Sequence, residues 1–239
     1  MKLITKLIKS LLVLFLLVPL AGCSGTNSST DDEPAATETT PQETYIGSKA
    51  PSAAKAIGDI VFTDGSASPS NAELTDEQKA AAIAVIFDAT NKLGVGFEIK
   101  RSQKWCTYTA AAYNTDNYAK SESDGKANTD EIAGLEDFNE TNYPAFYYCK
   151  SYSANGFTSG WYLPAKNELQ KLYDNHAAVD KAFIAVGKLA PTQLGSTFYS
   201  SSQGTNSTDA YVMTVGQSSC DFYGMTKDQG NTVFAVRAF

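Results

Sequence analysis

The segment Gly160-Trp161-Tyr162-Leu163-Pro164-Ala165-Lys166-Asn167-Glu168-Leu169-Gln170-Lys171-Leu172-Tyr173 gives the clearest structural signal in this chain of 239 residues. Proline suits the first position of an α-helix, because the N–H that it lacks would have no partner there. Leu169, Leu172 and Tyr173 follow at spacings that place them on one face of that helix. We therefore predict a helix that begins at Pro164 and packs on a core through this face.

Short apolar runs between turn residues predict strands on both sides of this helix. On its N-terminal side we predict strands over residues 57–62, 82–87 and 93–99, with a capping box from Thr75 to Gln78 before the second. Helical spacing of apolar and aromatic residues predicts helices over 105–113 and 143–152, and Asp124-Gly125 predicts a turn before a helix cap at 128–131. On the C-terminal side we predict four strands joined as a meander, near 197–201, 210–215, 221–225 and 232–239. These elements predict one domain over residues 57–239.

The N-terminus has the order of a bacterial lipoprotein signal peptide. Three lysines in the first nine residues precede an apolar run over 11–20, which is too short to span a bilayer. The run ends at Leu20-Ala21-Gly22-Cys23, which matches the lipobox at which the thiol is acylated and the chain is cut just before the cysteine. We predict a signal peptide over residues 1–22 and a lipid on Cys23 that holds the protein to a membrane of the cell envelope, outside the cytoplasm.

The residues after Cys23 are small, polar or acidic, with almost no large apolar side chain as far as Lys55. Such a composition cannot bury enough surface to order itself, so we predict a disordered tether over residues 23–56. Loss of the signal peptide removes three lysines and no acidic residue, which lowers the formal charge from −7 to −10. A chain this acidic is poorly suited to nucleic acid or anionic headgroups as partners.

The residue types that support catalysis or metal binding are scarce. His176 is the one histidine, and Cys106, Cys149 and Cys220 show no Cys-x-x-Cys spacing. The three cysteines allow one internal disulfide at most, and the sequence does not choose among the three possible pairings. We therefore predict no catalytic residue, no metal site and no cofactor.

The region from residue 199 to 222 mixes aromatic side chains with hydroxyl and amide groups. Flat aromatic faces beside hydrogen-bonding groups suit the binding of sugars or peptides. The same pattern is also typical of antiparallel strands whose residues alternate between core and surface. Under the first interpretation, the candidate ligand-binding residues are Tyr199, Ser201, Gln203, Asn206, Asp209, Tyr211 and Phe222.

Several motifs resemble a known family of bacterial surface domains. They are Ile57–Phe62 with Asp64-Gly65, Gln78–Phe87, Tyr143-Pro144-Ala145, Gly160–Pro164 with Glu168-Leu169, Tyr199–Ser202 and Val236–Phe239. Together they resemble the domain related to the C-terminal domain of the Legionella collagen-like adhesin. The resemblance implies an α+β fold of the C-type-lectin-like kind, with short helices packed on a small, mostly antiparallel sheet. The chain departs from calcium-dependent lectins, because it has neither a Glu-Pro-Asn or Gln-Pro-Asp triplet nor Trp-Asn-Asp.

These observations predict a lipid-anchored, non-catalytic binding module, such as an adhesin for a host glycan or extracellular protein, with a site that needs no calcium. Two alternatives stay open. One is a structural or immune-facing surface protein that has no dedicated small-molecule site, and the other is an enzyme of unknown reaction.

Overall fold

A computed structural model describes residues 44–216 and 219–239 of the protein. The predicted signal peptide, Cys23 and most of the predicted tether lie outside these residues. The strands are β1 (Asp59–Phe62), β2 (Ala67–Pro69), β3 (Ala82–Asp88), β4 (Leu93–Gln103), β5 (Thr197–Gln203), β6 (Asp209–Val215), β7 (Cys220–Thr226) and β8 (Asn231–Ala238). The α-helices are α1 (Asp76–Ala81), α2 (Gly125–Ala133), α3 (Pro144–Ser151), α4 (Lys166–Asp174) and α5 (His176–Ala185), and a 3-10 turn covers Pro191–Leu194.

Within the described residues the eight strands form one sheet in the order β2-β1-β3-β4-β8-β5-β6-β7. Neighbouring strands are antiparallel except β5 and β8, which pair in parallel at Phe198 and Thr232. The predicted meander holds for β5, β6 and β7 but is wrong for β8. This last strand crosses back and lies between β4 and β5, where its apolar residues are buried on both faces of the sheet.

Both faces of the sheet are covered by helices. On one face, Trp105 packs edge-on against Phe146 of α3, with ring centroids 4.8 Å apart, and α2 joins the same apolar cluster. On the other face, α4 and α5 pack on a cluster whose centre is the stacked pair Phe198 and Phe234, 4.5 Å apart. The architecture is a mixed α/β fold with a mostly antiparallel sheet between two layers of short helices.

The capping box indicates where α1 begins, and the helix predicted over 143–152 is observed as α3. The Thr75 hydroxyl accepts from the Gln78 amide, and the Gln78 side-chain oxygen accepts from the Thr75 amide, as expected for a capping box. The predicted helix over 105–113 is wrong, because the described residues from 104 to 124 contain neither helix nor strand. Partners distant in sequence hold this segment; for example, the Thr107 amide donates to the Asn142 carbonyl. We call residues 104–124 the long loop.

The central helix, α4, begins two residues later than predicted. Ala165 is its N-cap and Lys166 its first residue, so Pro164 precedes the helix. The amides of the first turn have tertiary acceptors, since Lys166 donates to the Ser202 hydroxyl at 3.0 Å and Asn167 to the Glu122 carbonyl at 2.7 Å. These contacts fix where the helix starts.

A short segment before β1, which we call the N-terminal strap (residues 46–49), already lies against the sheet. Three consecutive amides donate to side chains beside or within β2: Ile46 to Asp64, Gly47 to Ser66 and Ser48 to Ser68. Lys49 adds a backbone bridge to Ala67 and an ion pair of 2.5 Å with the buried carboxylate of Asp59. The described chain therefore contacts the domain before the predicted boundary at residue 57.

Candidate functional site

Two of the predicted binding residues lie inside the protein. Tyr199 and Ser201 are both 0% exposed. The Tyr199 hydroxyl donates to the Thr226 carbonyl at 2.6 Å, and the Ser201 hydroxyl accepts from the Asn128 amide at 3.1 Å. Their polar groups are used to join the sheet to neighbouring elements, so the prediction that they contact a ligand is not supported.

The next three predicted residues organise the loop between β5 and β6. Gln203 is buried, and its Nε2 donates to the carbonyls of Asn206 at 2.7 Å and Asp209 at 3.0 Å. Asn206 is exposed and donates to the Asp209 carboxylate at 2.9 Å. Gln203 is therefore a structural residue, whereas Asn206 and Asp209 remain at the surface.

Tyr211 and Phe222 are half-buried. The Lys166 ammonium lies 4.1 Å from the centroid of the Tyr211 ring, and Phe222 packs at the margin of the apolar cluster under α4. In the β6–β7 register Tyr211 faces Gly224 and Phe222 faces Met213, so the two rings are not directly opposite each other. The structure does not bring the seven predicted residues together into one site.

A concave site does exist elsewhere, between the N-terminal ends of α2 and α4 and the start of β4. This α2–α4 pocket has a volume of about 470 Å³. Its lining residues combine apolar groups with hydroxyl, amide and charged groups: Asn91, Leu93, Ser123, Asp124, Lys126, Gly160, Tyr162, Asn167, Glu168, Lys171 and Ala238. Such a mixture in a concave site of this size is typical of small-ligand sites.

Glu168 joins the two helices that frame the pocket. Its Oε2 accepts from the Ala165 amide at 2.7 Å and from the Gly125 amide at 3.3 Å, and its Oε1 accepts from the Tyr162 hydroxyl at 3.1 Å. One carboxyl thus caps the start of α4 and the start of α2. A Cβ at Gly125 would lie 2.5 Å from the Leu163 carbonyl oxygen, so glycine is what permits this close approach.

Burial raises the pKa of Glu168 to about 7, against the hydrogen bonds from Ala165, Tyr162 and Gly125 that favour its carboxylate form. A shifted carboxyl in a pocket is often functional. Here both oxygens are occupied by groups of the protein, so the geometry makes Glu168 a positioning residue for the pocket. The Tyr162 backbone is itself fixed by two hydrogen bonds with Val236 of β8.

Both lysines that line the pocket are paired with carboxylates. Lys171 lies 2.6 Å from the Asp88 carboxylate, and Lys126 lies 2.5 Å from the Asp130 carboxylate. The pairing lowers the field that an ionic ligand would meet. Asn167, which is exposed at the first turn of α4, donates to the Ser123 hydroxyl at 2.8 Å and places an amide at the pocket.

The residues considered for catalysis or metal binding lie apart from the pocket. His176 starts α5, where its Nδ1 lies 2.6 Å from the Tyr173 carbonyl oxygen. Cys106, Cys149 and Cys220 are free thiols, so none of the three possible disulfides is present, and burial raises the pKa of each. Among the described residues no group of three potential metal-ligating side chains occurs.

No family model and no curated protein matches this chain. Its fold is similar to that of a fimbrial protein from Bacteroides ovatus. The TM-score is 0.56 at 16% identity, and the similarity covers 77% of this chain but only 49% of the other. At this identity the likeness is one of fold, and it supports the mixed α/β architecture. No helix in the described part is long and apolar enough to cross a membrane.

Tyr162, Asn167 and Glu168 lie in the segment that predicts α4, but this pattern does not indicate a binding site. Their role in the pocket depends on Gly125, which is far away in sequence and becomes a neighbour only after folding. Glu168 does carry a sequence signal, because an acidic residue three positions after an N-cap can accept hydrogen bonds from the first amides of the helix. That signal predicts a cap and does not by itself predict a pocket.

Proposed function

We propose that this protein is a lipid-anchored, non-catalytic binding module of the cell envelope, with the α2–α4 pocket as its ligand site. The observation that carries the proposal is the pocket itself: a cavity of about 470 Å³ between two helix starts, lined by apolar, hydroxyl, amide and charged groups. The hydrogen-bonded Glu168–Tyr162 pair holds the pocket in shape before a ligand binds, and such preorganisation lowers the entropic cost of binding.

The pocket suits a neutral polar ligand, such as an uncharged glycan or an uncharged stretch of an extracellular protein. Lys126 and Lys171 are already paired with carboxylates, and the amides at the start of α4 are occupied by Glu168, Ser202 and Glu122. An anionic ligand would find few free donors there. The net charge of −10 predicted for the mature chain adds long-range repulsion of sulfated ligands at low ionic strength.

The proposed membrane attachment through Cys23 rests on the lipobox. The proposed adhesin role at the cell surface rests on that anchor together with the pocket. A C-type-lectin-like fold is proposed from the motif resemblance. The structure gives those motifs a physical basis, because Trp161–Leu163 and Val236–Phe239 lie together. Arg237 packs its guanidinium 5.5 Å from the Trp161 ring and 5.1 Å from the Phe239 ring.

A glycan array probed with the purified lipoprotein tests the proposal, using two matched variants. Asn167 and Asn206 are both exposed asparagines, but Asn167 lies at the α2–α4 pocket and Asn206 in the β5–β6 loop. We expect the parent to bind a neutral glycan both with and without a chelator. Asn167→Trp should abolish this binding, and Asn206→Trp should preserve it. Loss of binding in Asn206→Trp alone would place the site in the loop. Absence of any neutral ligand, or binding unchanged by Asn167→Trp, would refute the proposal.

A further inference from the structure

A fully buried lysine follows the edge strand β7. Lys227 is 0% exposed, and its ammonium makes no ion pair with a carboxylate among the described residues. Instead, Nζ lies within hydrogen-bond distance of four backbone carbonyl oxygens: 2.7 Å from Ala112, 3.2 Å from Tyr113, 3.0 Å from Thr115 and 2.8 Å from Ser207. A buried charge without a counter-ion is costly unless such acceptors surround it.

The surroundings of the ammonium are those of a bound cation. Its Nζ also lies 4.8 Å from the centroid of the Trp105 ring, whose face attracts positive charge. Rings of carbonyl oxygens are the ligands with which proteins hold K⁺ and part of the shell with which they hold Ca²⁺. Burial lowers the pKa of Lys227 to about 8, which leaves the ammonium form predominant at neutral pH.

The four carbonyls belong to two segments that are distant in sequence. Three come from the long loop, and Ser207 comes from the β5–β6 loop. The Lys227 backbone joins the same two segments, since its carbonyl accepts from the Cys106 amide at 3.1 Å and its amide donates to the Thr208 carbonyl at 2.9 Å. One residue therefore holds both loops at the same end of the sheet.

We propose that the carbonyl cage around Lys227 is a cation site that the chain fills with its own ammonium, so that these two loops are ordered without a metal ion. The four carbonyl oxygens of this cage bind one alkylammonium group. This inference concerns the loop end and is independent of the α2–α4 pocket. It explains how a loop of 21 residues without helix or strand, from 104 to 124, keeps a defined shape.

The first test compares Lys227→Met with Lys181→Met in the mature lipoprotein, by thermal unfolding. Methionine keeps most of the side-chain volume but leaves four buried carbonyls without their donor. We expect Tm to fall by roughly 10 °C in Lys227→Met, as for loss of a buried charged group from a domain of this size. Lys181 is exposed on α5, so its variant should melt within about 2 °C of the parent. Equal melting of the two variants would overturn the proposal.

The second test is chemical rescue, which remains decisive if Lys227→Met does not fold. Alanine at position 227 lacks three methylenes and the ammonium, which together correspond to n-propylammonium. We expect n-propylammonium to raise the Tm or the refolding yield of Lys227→Ala, and the neutral n-propanol at equal concentration not to do so. Chelator should leave the parent Tm unchanged. Equal effects of the two additives, or a parent that chelator destabilises, would show that the cage is not a self-filled cation site.

Discussion

Replacing Glu168 with glutamine should change the pH dependence of stability more than stability itself. Glutamine can accept from Ala165 and Gly125 through its oxygen and donate to the Tyr162 oxygen through its amide, which reproduces the bonding of the protonated acid. The variant therefore stands in for a Glu168 that never ionises.

The size of this pH-dependent change in stability follows from the pKa of Glu168, which rises from its ordinary value of 4.5 to about 7 in the folded protein. Each pH unit of such a difference corresponds to about 1.4 kcal/mol, so ionisation of Glu168 costs the folded state roughly 3 kcal/mol. The folded state binds the proton more tightly than the unfolded chain. The stability that Glu168 contributes is thus complete below pH 4.5 and is lost as the pH rises through 7.

Urea unfolding of the parent and Glu168→Gln at pH 5 and pH 8 measures this difference. We expect the unfolding free energy of the variant, relative to the parent, to increase by roughly 2 to 3 kcal/mol between the two pH values. Glu140→Gln, at an exposed position, should show no such change. A stability difference between parent and Glu168→Gln that does not depend on pH would contradict the raised pKa of Glu168. So would a variant that is less stable than the parent at pH 8.

Three further predictions concern the core, the strap and the anchor. Trp161 is 3% exposed and packs edge-on against Tyr152, with ring centroids 4.7 Å apart. Trp161→Ala should therefore lower the unfolding free energy by about 3 to 5 kcal/mol. A variant that melts like the parent but loses ligand binding would contradict this core role. A Cβ at Gly47 would lie 2.5 Å from the Ala67 carbonyl oxygen, so Gly47→Ala should detach the N-terminal strap and speed limited proteolysis before β1. Ser48→Ala keeps its backbone hydrogen bond and should be cut like the parent. Cys23→Ser should abolish incorporation of labelled palmitate, because the lipobox thiol is the acceptor; label in that variant would exclude Cys23 as the site of acylation.

Much of the secondary structure could be predicted because its causes are local. The capping box at Thr75 and Gln78 is complete within four residues, and the apolar run before Asp88 is long enough for a buried strand. The long loop could not be predicted, because the groups that hold it lie elsewhere in the chain. Trp105, Tyr108 and Ala112 have helical spacing, yet the Ala112 carbonyl accepts from Lys227, which is 115 residues away.

The predicted ligand-binding residues could not be placed from sequence for a related reason. Hydroxyl and amide groups beside aromatic rings favour an exposed binding surface, but helices cover both faces of this sheet. Ser200, Ser201 and Ser202 are all 0% exposed. Their hydroxyls bond to Tyr211 of β6, Asn128 of α2 and Ser121 of the long loop, respectively. Polarity alone did not indicate exposure here, since a small hydroxyl with a partner is readily buried.

The central position of β8 makes assembly of the whole sheet depend on one strand. The sheet consists of an N-terminal half, β2-β1-β3-β4, and a later half, β5-β6-β7, and the last strand of the chain joins them. A chain without Asn231–Ala238 would leave the facing edges of β4 and β5 without a strand between them. Joining the two halves requires β8 to pair with β4 at residues as distant in sequence as Leu93 and Ala238. Such pairings form slowly, because a long stretch of chain must first be brought together. Deletion of Asn231–Ala238 should therefore prevent assembly of the whole sheet.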